Sequence, residues 1–213
     1  MSDRIAPQQF HAAEGVEDWR ILPSQMVGTC FQTGDFAAGL ALVDEIGRLA
    51  DAADHHPDVD LRYGSVTVFL ISHDIGGLSQ RDVRLAQQIS AAARDRGIAA
   101  DPGAVQQIDI TVDALDPAAV APFWRALLAY DDKDTDPRGR GPSLWFVEMD
   151  EPRPQRNRIH LDLSVPHDQA EARIAAAMDA GGRIVTAEYA PAWWVLADPE
   201  GNEACVCTWM GRD

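Results

Sequence analysis

The chain has 213 residues, and 46% of them are hydrophobic, which is enough for the cores of one large domain or of two domains of ordinary size. Its formal net charge is −16, which argues against a nucleic-acid partner or an anionic membrane surface, because both are bound by cationic side chains. We see no basic-then-apolar leader and no apolar run of about 18 residues. Three cysteines cannot all pair, so we expect a cytoplasmic protein.

In the first half, the sequence predicts two helices around one strand. Asp35 is the predicted N-cap of a helix that ends before Pro57, because proline disfavours helical geometry in the residue before it. Residues 66–71 are apolar or β-branched throughout, which predicts a strand that is covered on both faces. Ser79 and Asp82 have the spacing of a capping box, which predicts a second helix to about residue 96. The apolar face of the first helix is assigned to Phe36, Leu40, Val43, Ile46 and Ala50.

Residues 97–103 contain Asp101-Pro102-Gly103 and are predicted to form a linker. Two similar units follow, each with a strand, a helix and further strand-like sequence, which predicts a duplicated βαβββ architecture. We therefore expect two domains, residues 1–101 and 102–213. The predicted first strands are residues 108–112 and 159–163, the helices follow Asp116-Pro117 and Pro166-His167-Asp168, and the later strands are residues 143–149, 193–197 and 203–209.

Three of the six histidines, His55, His56 and His73, lie close together in the sequence. His55 and His56 end the first predicted helix, where both rings could reach one cavity, and His73 follows the predicted strand. Imidazole gains and loses protons near neutral pH, so a shared pocket predicts acid–base chemistry. A metal site is one alternative, but adjacent histidines seldom place both rings on one metal. A purely structural role, in capping the helix and filling a pocket, is the other.

The spacing of these residues resembles the signature of the pterin-4a-carbinolamine dehydratase family. The resemblance extends over about residues 15–97 and is carried by Asp51, His55-His56-Pro57, Tyr63, His73 and Asp82. It implies an α+β domain whose antiparallel sheet carries helices on one face and which usually forms a dimer. It also implies the loss of water from 4a-hydroxytetrahydrobiopterin to give quinonoid dihydropterin, with no metal and no organic cofactor.

The same resemblance suggests roles for individual residues. His55 and His73 are expected to transfer protons, since expulsion of a hydroxyl needs an acid and loss of the N5 proton needs a base. His56 is expected to hold the pterin. Asp51, four residues before His55, could orient that ring or be a solvated helix carboxylate. The residues expected to contact or support the substrate are Asp51, Pro57, Ser72, Asp74 and Asp82. Asp82 also suits a structural role, because a carboxylate is favourable near a helix N-terminus. Tyr63 could be a core residue.

Residues from about 105 to 213 resemble the vicinal oxygen chelate, or glyoxalase-like, superfamily. The resemblance is carried by the paired units, by the turn at residues 197–203 and by residues 158–163. Enzymes of this superfamily usually hold a divalent metal, and the corresponding positions here are Asp109, Glu148, His160 and Cys205. Because Cys205 stands where a glutamate is expected, we predict a pocket without metal.

The sequence as a whole predicts a pterin-4a-carbinolamine dehydratase, a hydro-lyase, with an accessory glyoxalase-like domain that binds a small molecule. The expected partners are a pterin substrate and a second copy of the chain, with no nucleic acid and no membrane. Two alternatives belong to other classes of function. In one, the N-terminal domain is a non-catalytic dimerisation or binding module. In the other, the C-terminal domain is a metal-dependent lyase, isomerase or dioxygenase.

Overall fold

The structure is a computed structural model, and it describes residues 4–22, 26–105, 109–151, 160–165, 169–208 and 210. The chain divides into two compact units, Met1–Gln107 and Ile108–Asp213. Each has its own hydrophobic core. In the described ranges we find no helix with the length and apolar character needed to cross a bilayer.

The first unit contains an antiparallel sheet. Its strands are β1 (Arg20–Ile21), β2 (Val27–Gln32), β3 (Asp58–Leu61), β4 (Ser65–Leu70) and β5 (Ala99–Ala100). The order is β1-β2-β4-β3, and β5 pairs with the end of β2. All of these pairs are antiparallel. The α+β fold predicted for this half of the chain is confirmed.

Three helices accompany the sheet: α1 (Pro7–His11), α2 (Phe36–Ala53) and α3 (Gln80–Asp95). Asp35 caps α2 by accepting a hydrogen bond from the Ala38 N–H at 2.8 Å, as predicted. Ser79 and Asp82 form the predicted capping box at the start of α3. The helices pack on one face of the sheet. Strand β4 contributes every second residue to this face, namely Val66, Val68 and Leu70.

Two details of the predicted burial are wrong. The buried stripe of α2 consists of Gly39, Leu42, Ile46 and Ala50, whereas Phe36 and Leu40 are exposed. Strand β4 buries only every second side chain completely, because in an antiparallel sheet with helices on one face the other face remains partly open.

Tyr63 is 77% exposed in the turn between β3 and β4, so it is not a core residue. The predicted linker is also wrong in part, because Ala99–Ala100 pair with β2 and Pro102–Ala104 form a 3₁₀ turn. The Asp101 N–H donates to the Cys30 carbonyl at 2.6 Å, which joins this segment to the first unit.

The second unit contains two successive strand–helix motifs. The first comprises β6 (Asp109–Ala114), α4 (Pro117–Leu128) and β7 (Ser143–Glu148), with β6 and β7 paired in parallel. The second comprises β8 (Leu161–Ser164), α5 (Ala170–Asp179), β9 (Arg183–Thr186), β10 (Trp193–Ala197) and β11 (Glu203–Cys207). Its sheet has the order β8-β11-β10-β9, which is a complete βαβββ unit. Ile108, Ile159, Pro166, His167, Asp168 and Trp209, which the predicted elements include, lie outside the described residues.

A buried carboxylate organises the predicted turn between β10 and β11. Asp198 accepts hydrogen bonds from the Glu200 and Asn202 backbone N–H groups at 3.0 and 2.8 Å. It also accepts from the Trp124 indole N–H at 3.0 Å, which links the turn to α4. Helix α4 buries Val120, Phe123, Trp124 and Leu127, as its periodicity predicted.

Candidate active site

The end of α2 directs two adjacent histidines to different environments. Asp54 adopts the left-handed conformation, with φ 47° and ψ 43°, which is accessible to aspartate at a helix C-terminus. The His55 N–H then donates back to the Ala50 carbonyl at 3.1 Å. As a result the His55 side chain is buried, with 6% exposed, whereas the His56 side chain is 59% exposed. The two rings do not share one environment.

His55 bonds to a buried carboxylate on the following helix. Its Nε2 lies 2.8 Å from Oδ1 of Asp82, and Asp82 has no exposed surface. Asp82 is the third residue of α3, where the positive end of the helix dipole stabilises a negative charge. The Asp82 carboxylate therefore both caps the start of α3 and holds the His55 ring in place.

Two serines hold the second oxygen of this carboxylate. Oδ2 of Asp82 accepts from the Ser72 hydroxyl at 2.8 Å and from the Ser79 N–H at 2.7 Å. The two serine hydroxyls lie 2.7 Å apart, and the Ser79 hydroxyl lies 3.1 Å from the same carboxylate oxygen. Both serines are buried. Oδ2 of Asp82 thus accepts from the Ser72 hydroxyl and from the Ser79 N–H, and the positive end of the α3 dipole favours the ionised form of the carboxylate.

These contacts determine the tautomer of His55. An ionised carboxylate can only accept hydrogen bonds, so we assign the proton between the two residues to Nε2 of His55. In the neutral ring, Nδ1 is then the nitrogen with a lone pair. The hydrogen bond to Asp82 therefore fixes the orientation of the His55 ring.

Asp51 contacts the other histidine. Its Oδ1 lies 3.0 Å from Nε2 of His56, and both side chains are exposed. The suggestion that Asp51 orients His55 is therefore wrong, because the turn at Asp54 moves the His55 ring away from this face of α2. The Asp51–His56 pair is a surface pair, and such pairs contribute about 1 kcal/mol or less to stability.

The remaining predicted residues lie on the two segments that flank this cluster. His73 and Asp74 are exposed in the turn that begins at Ser72, where the Ser72 N–H donates to the Gly77 carbonyl at 3.0 Å. Since Ser72 contacts the same carboxylate as His55, His73 follows directly on a residue of the buried cluster. Pro57 is half-buried and precedes β3.

Asp74 forms an ion pair with Arg81, whose Nη2 lies 2.7 and 3.0 Å from the two carboxylate oxygens. The hydrogen bond from Arg81 lowers the pKa of Asp74, and the charge of Arg81 acts in the same direction. Asp74 is thus an exposed carboxylate that stays ionised beside the cluster.

The sequence reasoning missed Ser79 and Arg81 as site residues. Ser79 was assigned only to the helix cap, yet it also supports the carboxylate that holds His55. The capping box itself was the missed signal. Its third helical residue, Asp82, also belongs to the histidine signature, so the start of α3 lies at the candidate site.

In the second unit, the structure separates two of the four predicted metal positions. In the parallel pair of β6 and β7, Asp109 lies opposite Ser143 and Glu148 lies opposite Ala114. Asp109 and Glu148 are therefore at opposite ends of the pair, about 16 Å apart at roughly 3.3 Å per residue. They cannot both bind one metal ion.

His160 and Cys205 do come together, and Asp162 joins them. The possible ligand atoms of these three residues lie within 4.8 Å of one another. Burial, followed by a hydrogen bond with Asp162, raises the pKa of Cys205 to about 12. Without a bound cation the thiol is therefore protonated at neutral pH.

The second unit also has a cavity of about 380 Å³. Its walls are largely apolar, and Tyr130, Asp136, Arg138 and Asp162 add polar groups. Asp136 is occupied in its own loop, where its carboxylate accepts from the backbone N–H groups of Arg138, Arg140 and Gly141. A small molecule with a large apolar surface matches the dimensions and lining of this cavity.

Residues 3–92 match the family model described as Pterin 4 alpha carbinolamine dehydratase, and residues 109–207 match the model described as Glyoxalase-like domain. A Nocardia farcinica protein named "Putative pterin-4-alpha-carbinolamine dehydratase" is 41% identical over 83 residues, which are 39% of this chain and 86% of that protein. A Chloroflexus aurantiacus protein of the same name is 43% identical over 72 residues, 34% of this chain and 76% of that protein.

Two solved structures are similar to parts of the chain. A transcriptional coactivator/pterin dehydratase from Brucella melitensis is 23% identical, with a TM-score of 0.38, and the match covers 42% of this chain and 98% of that one. A glyoxalase/bleomycin resistance protein from Albidiferax ferrireducens is 22% identical, with a TM-score of 0.34, over 47% of this chain and 95% of that one.

Proposed function

Since the chain belongs to the pterin-4a-carbinolamine dehydratase family, we propose that its N-terminal unit removes water from 4a-hydroxytetrahydrobiopterin to give quinonoid dihydropterin. The observation that carries this proposal is the buried hydrogen bond between His55 and Asp82. It provides an oriented imidazole, and the other two histidines of the signature, His56 and His73, are exposed on the segments that flank it.

The reaction needs one base and one acid. The N5 proton leaves, its bonding electrons form the C4a=N5 double bond, and the C4a–O bond breaks as the hydroxyl takes a proton and departs as water. One proton is accepted and one is donated, so the reaction is neutral overall. Catalysis of each proton transfer by a positioned side chain contributes typically 10²–10⁴-fold.

We assign the base to His55. Its Nδ1 accepts the N5 proton, while Nε2–H remains bonded to Asp82 at 2.8 Å. The charge of Asp82 stabilises the resulting imidazolium, and Ser72 and Ser79 keep the carboxylate in place. Because all four groups are buried, little reorganisation is needed when the proton moves.

We assign the acid to His73, which donates its proton to the departing hydroxyl. Its exposed position in the turn after Ser72 lets it regain a proton from solvent between turnovers. His56, oriented by Asp51 at 3.0 Å, then contacts the pterin, and Pro57 and Asp74 line the site. Protons return to equilibrium through water, and the reaction as proposed uses no metal and no organic cofactor, as the family resemblance implies.

We extend the proposal to the substrate, the assembly of the chain and the role of the second domain. The substrate is a small pterin, and the chain acts as a homodimer in the cytoplasm. The glyoxalase-like domain is accessory and binds a small molecule, for which the cavity of about 380 Å³ is the candidate place.

The test is the dehydration of chemically prepared 4a-hydroxytetrahydrobiopterin, followed by ultraviolet absorbance with the wild-type chain, His55→Gln and His73→Ala. The wild type should accelerate the reaction, and each variant should lose about 10²-fold or more. Arg48→Ala is a matched control, because Arg48 forms an exposed ion pair on α2 with Glu45. It should keep the wild-type rate.

No acceleration by the folded wild type would reject the proposed activity. Full activity in both histidine variants would reject the assigned roles while retaining the activity. Circular dichroism of each variant distinguishes a lost proton transfer from a lost fold.

A further inference from the structure

The apolar wall of the cavity in the second unit lies on the helix-facing side of the strands. It is formed by aliphatic side chains that also pack against the core of this unit, namely Ile110, Leu128, Leu161 and Leu163. Successive side chains of a strand point to opposite faces, so Leu161 and Leu163 face the helices while Asp162 lies opposite Cys205 on the other face. None of the four positions that the glyoxalase-like resemblance assigned to a metal is among the residues that line this cavity.

Arg138 is the cationic residue among those that line the cavity. Its backbone N–H donates to Asp136, but its guanidinium has no ion-pair partner within the part of the chain that the structure describes. Arg125, by contrast, is paired with Asp134 in the same region. In a chain with a net charge of −16, a guanidinium that borders an apolar cavity without a carboxylate partner is well placed to bind an anionic ligand.

A second guanidinium lies close to the cavity. Arg173 in α5 donates from Nη1 to the Leu127 carbonyl at 2.8 Å, and the next residue, Leu128, lines the cavity. Burial lowers the pKa of Arg173, and the charge of Arg138 acts in the same direction. The two like charges are therefore near enough to repel each other, and an anion bound beside them would relieve this repulsion.

The other polar groups that line the cavity already have partners. Asp136 accepts from three backbone N–H groups of its own loop. Asp162 lies 3.2 Å from His160. The Tyr130 hydroxyl donates to the Pro142 carbonyl at 2.8 Å. Arg138 is therefore the lining group with hydrogen-bonding capacity left for the polar end of a ligand.

We propose that this cavity binds a small aliphatic monocarboxylate, with its carboxylate on Arg138 and its hydrocarbon chain among the four aliphatic side chains. The volume of about 380 Å³ is at the lower end of the range of ligand pockets, about 300–1,000 Å³, which suits a small ligand. Arginine recognises a carboxylate through two parallel hydrogen bonds. This inference rests on the proposed role of the second unit as a small-molecule binder and does not depend on the dehydratase activity.

The experiment is isothermal titration calorimetry of the purified full chain with octanoate, 1-octanol and octylammonium, which share one chain length and differ in the charge of the head group. We expect one octanoate per chain, with a Kd at least about 10-fold below that of 1-octanol, since hydrogen bonds to a charged partner are the stronger ones. Hexanoate should bind about 10-fold more weakly than octanoate, because two fewer methylene groups are buried.

Arg138→Met keeps an apolar stem and removes the charge. It should lower the affinity for octanoate by about 10-fold or more and leave the affinity for 1-octanol unchanged. Arg138 is exposed, so this variant should fold. Arg140→Met is the matched control, because Arg140 is exposed in the same loop and does not line the cavity. It should keep the wild-type affinity.

Binding of neither octanoate nor 1-octanol by the folded wild type would reject the small-molecule role of this cavity together with the inference. Equal affinity for the two would retain the cavity as a binding site but overturn the carboxylate. Tighter binding of octylammonium would assign the polar end of the ligand to Asp136 and Asp162 instead. Unchanged octanoate affinity in Arg138→Met, or an equal loss in Arg140→Met, would overturn the role of Arg138.

Discussion

The two units each contain a histidine paired with an aspartate, but in opposite surroundings. In the first unit, His55 and Asp82 are buried, and two serines complete the hydrogen bonding of the carboxylate. In the second unit, His160 and Asp162 are exposed at 3.2 Å, and a buried cysteine lies beside them.

Burial decides what each pair is suited to do. A fully hydrogen-bonded carboxylate inside the protein keeps one tautomer and one orientation of its histidine, which suits proton transfer. The exposed pair of His160 and Asp162 has no such restraint, because both side chains can exchange their hydrogen bonds with solvent. The same two residue types therefore have a fixed arrangement in one unit and an exchangeable arrangement in the other.

The contrast is tested most strongly at Asp82. Asp82→Asn keeps the shape of the side chain but removes its charge and places an amide against the Ser79 N–H. We expect the dehydration rate constant to fall by about 10²-fold or more and the free energy of unfolding to fall by about 1–3 kcal/mol. Stopped-flow absorbance and urea denaturation measure the two effects.

Asp51→Asn is the exposed counterpart, since Asp51 contacts His56 at the surface. Its effect on stability should stay within about 0.5 kcal/mol, and it should raise the KM by a few fold through the loosened His56. Equal losses of stability in the two variants would contradict the distinction between a buried and a surface pair.

The same comparison can be made with apolar residues on α2. Leu42 has no exposed surface, whereas Leu40 is 54% exposed. Leu42→Ala should lower the free energy of unfolding by about 2–5 kcal/mol, because it removes buried methyl groups and leaves a cavity.

Leu40→Ala should change the free energy of unfolding by no more than about 0.5 kcal/mol. Urea titrations of the two variants can be compared directly, because the same substitution is made in the same helix. A larger loss for Leu40→Ala would mean that the assigned buried face of α2 is wrong.

The smallest expected effect is a pH-dependent contribution of the Asp74–Arg81 ion pair to stability. Arg81 lowers the pKa of Asp74 in the folded protein, so the pair stabilises the fold above the ordinary aspartate value of 3.8. This stabilisation is lost as the pH falls below 3.8 and Asp74 becomes protonated.

The urea midpoint of Arg81→Ala should therefore lie slightly below that of the wild type at pH 6, and the difference should shrink towards pH 3. A difference that stays constant over this range would show that Arg81 acts through other contacts.

Local chemistry in the sequence was sufficient for much of the fold. The Asp35 cap, the capping box of Ser79 and Asp82, and the periodicity of α4 all depend on residues within one or two helical turns, and all were predicted correctly. The buried face of α2 was not, because Phe36 and Leu40 are as hydrophobic as the residues that are buried. Which stripe faces the sheet depends on where the sheet lies.

The candidate sites also contain features that the sequence predicts and features that only the folded structure shows. The three histidines and the family could be identified from spacing along the chain. The partner of His55 could not, because Asp82 is 27 residues away and reaches it only when α3 packs beside the end of α2. The Asp162–Cys205 contact likewise arises from the register of β8 and β11. Residue types and short-range spacing are written in the sequence, whereas burial and long-range partners, which set the chemistry of each group, arise only when distant segments pack together.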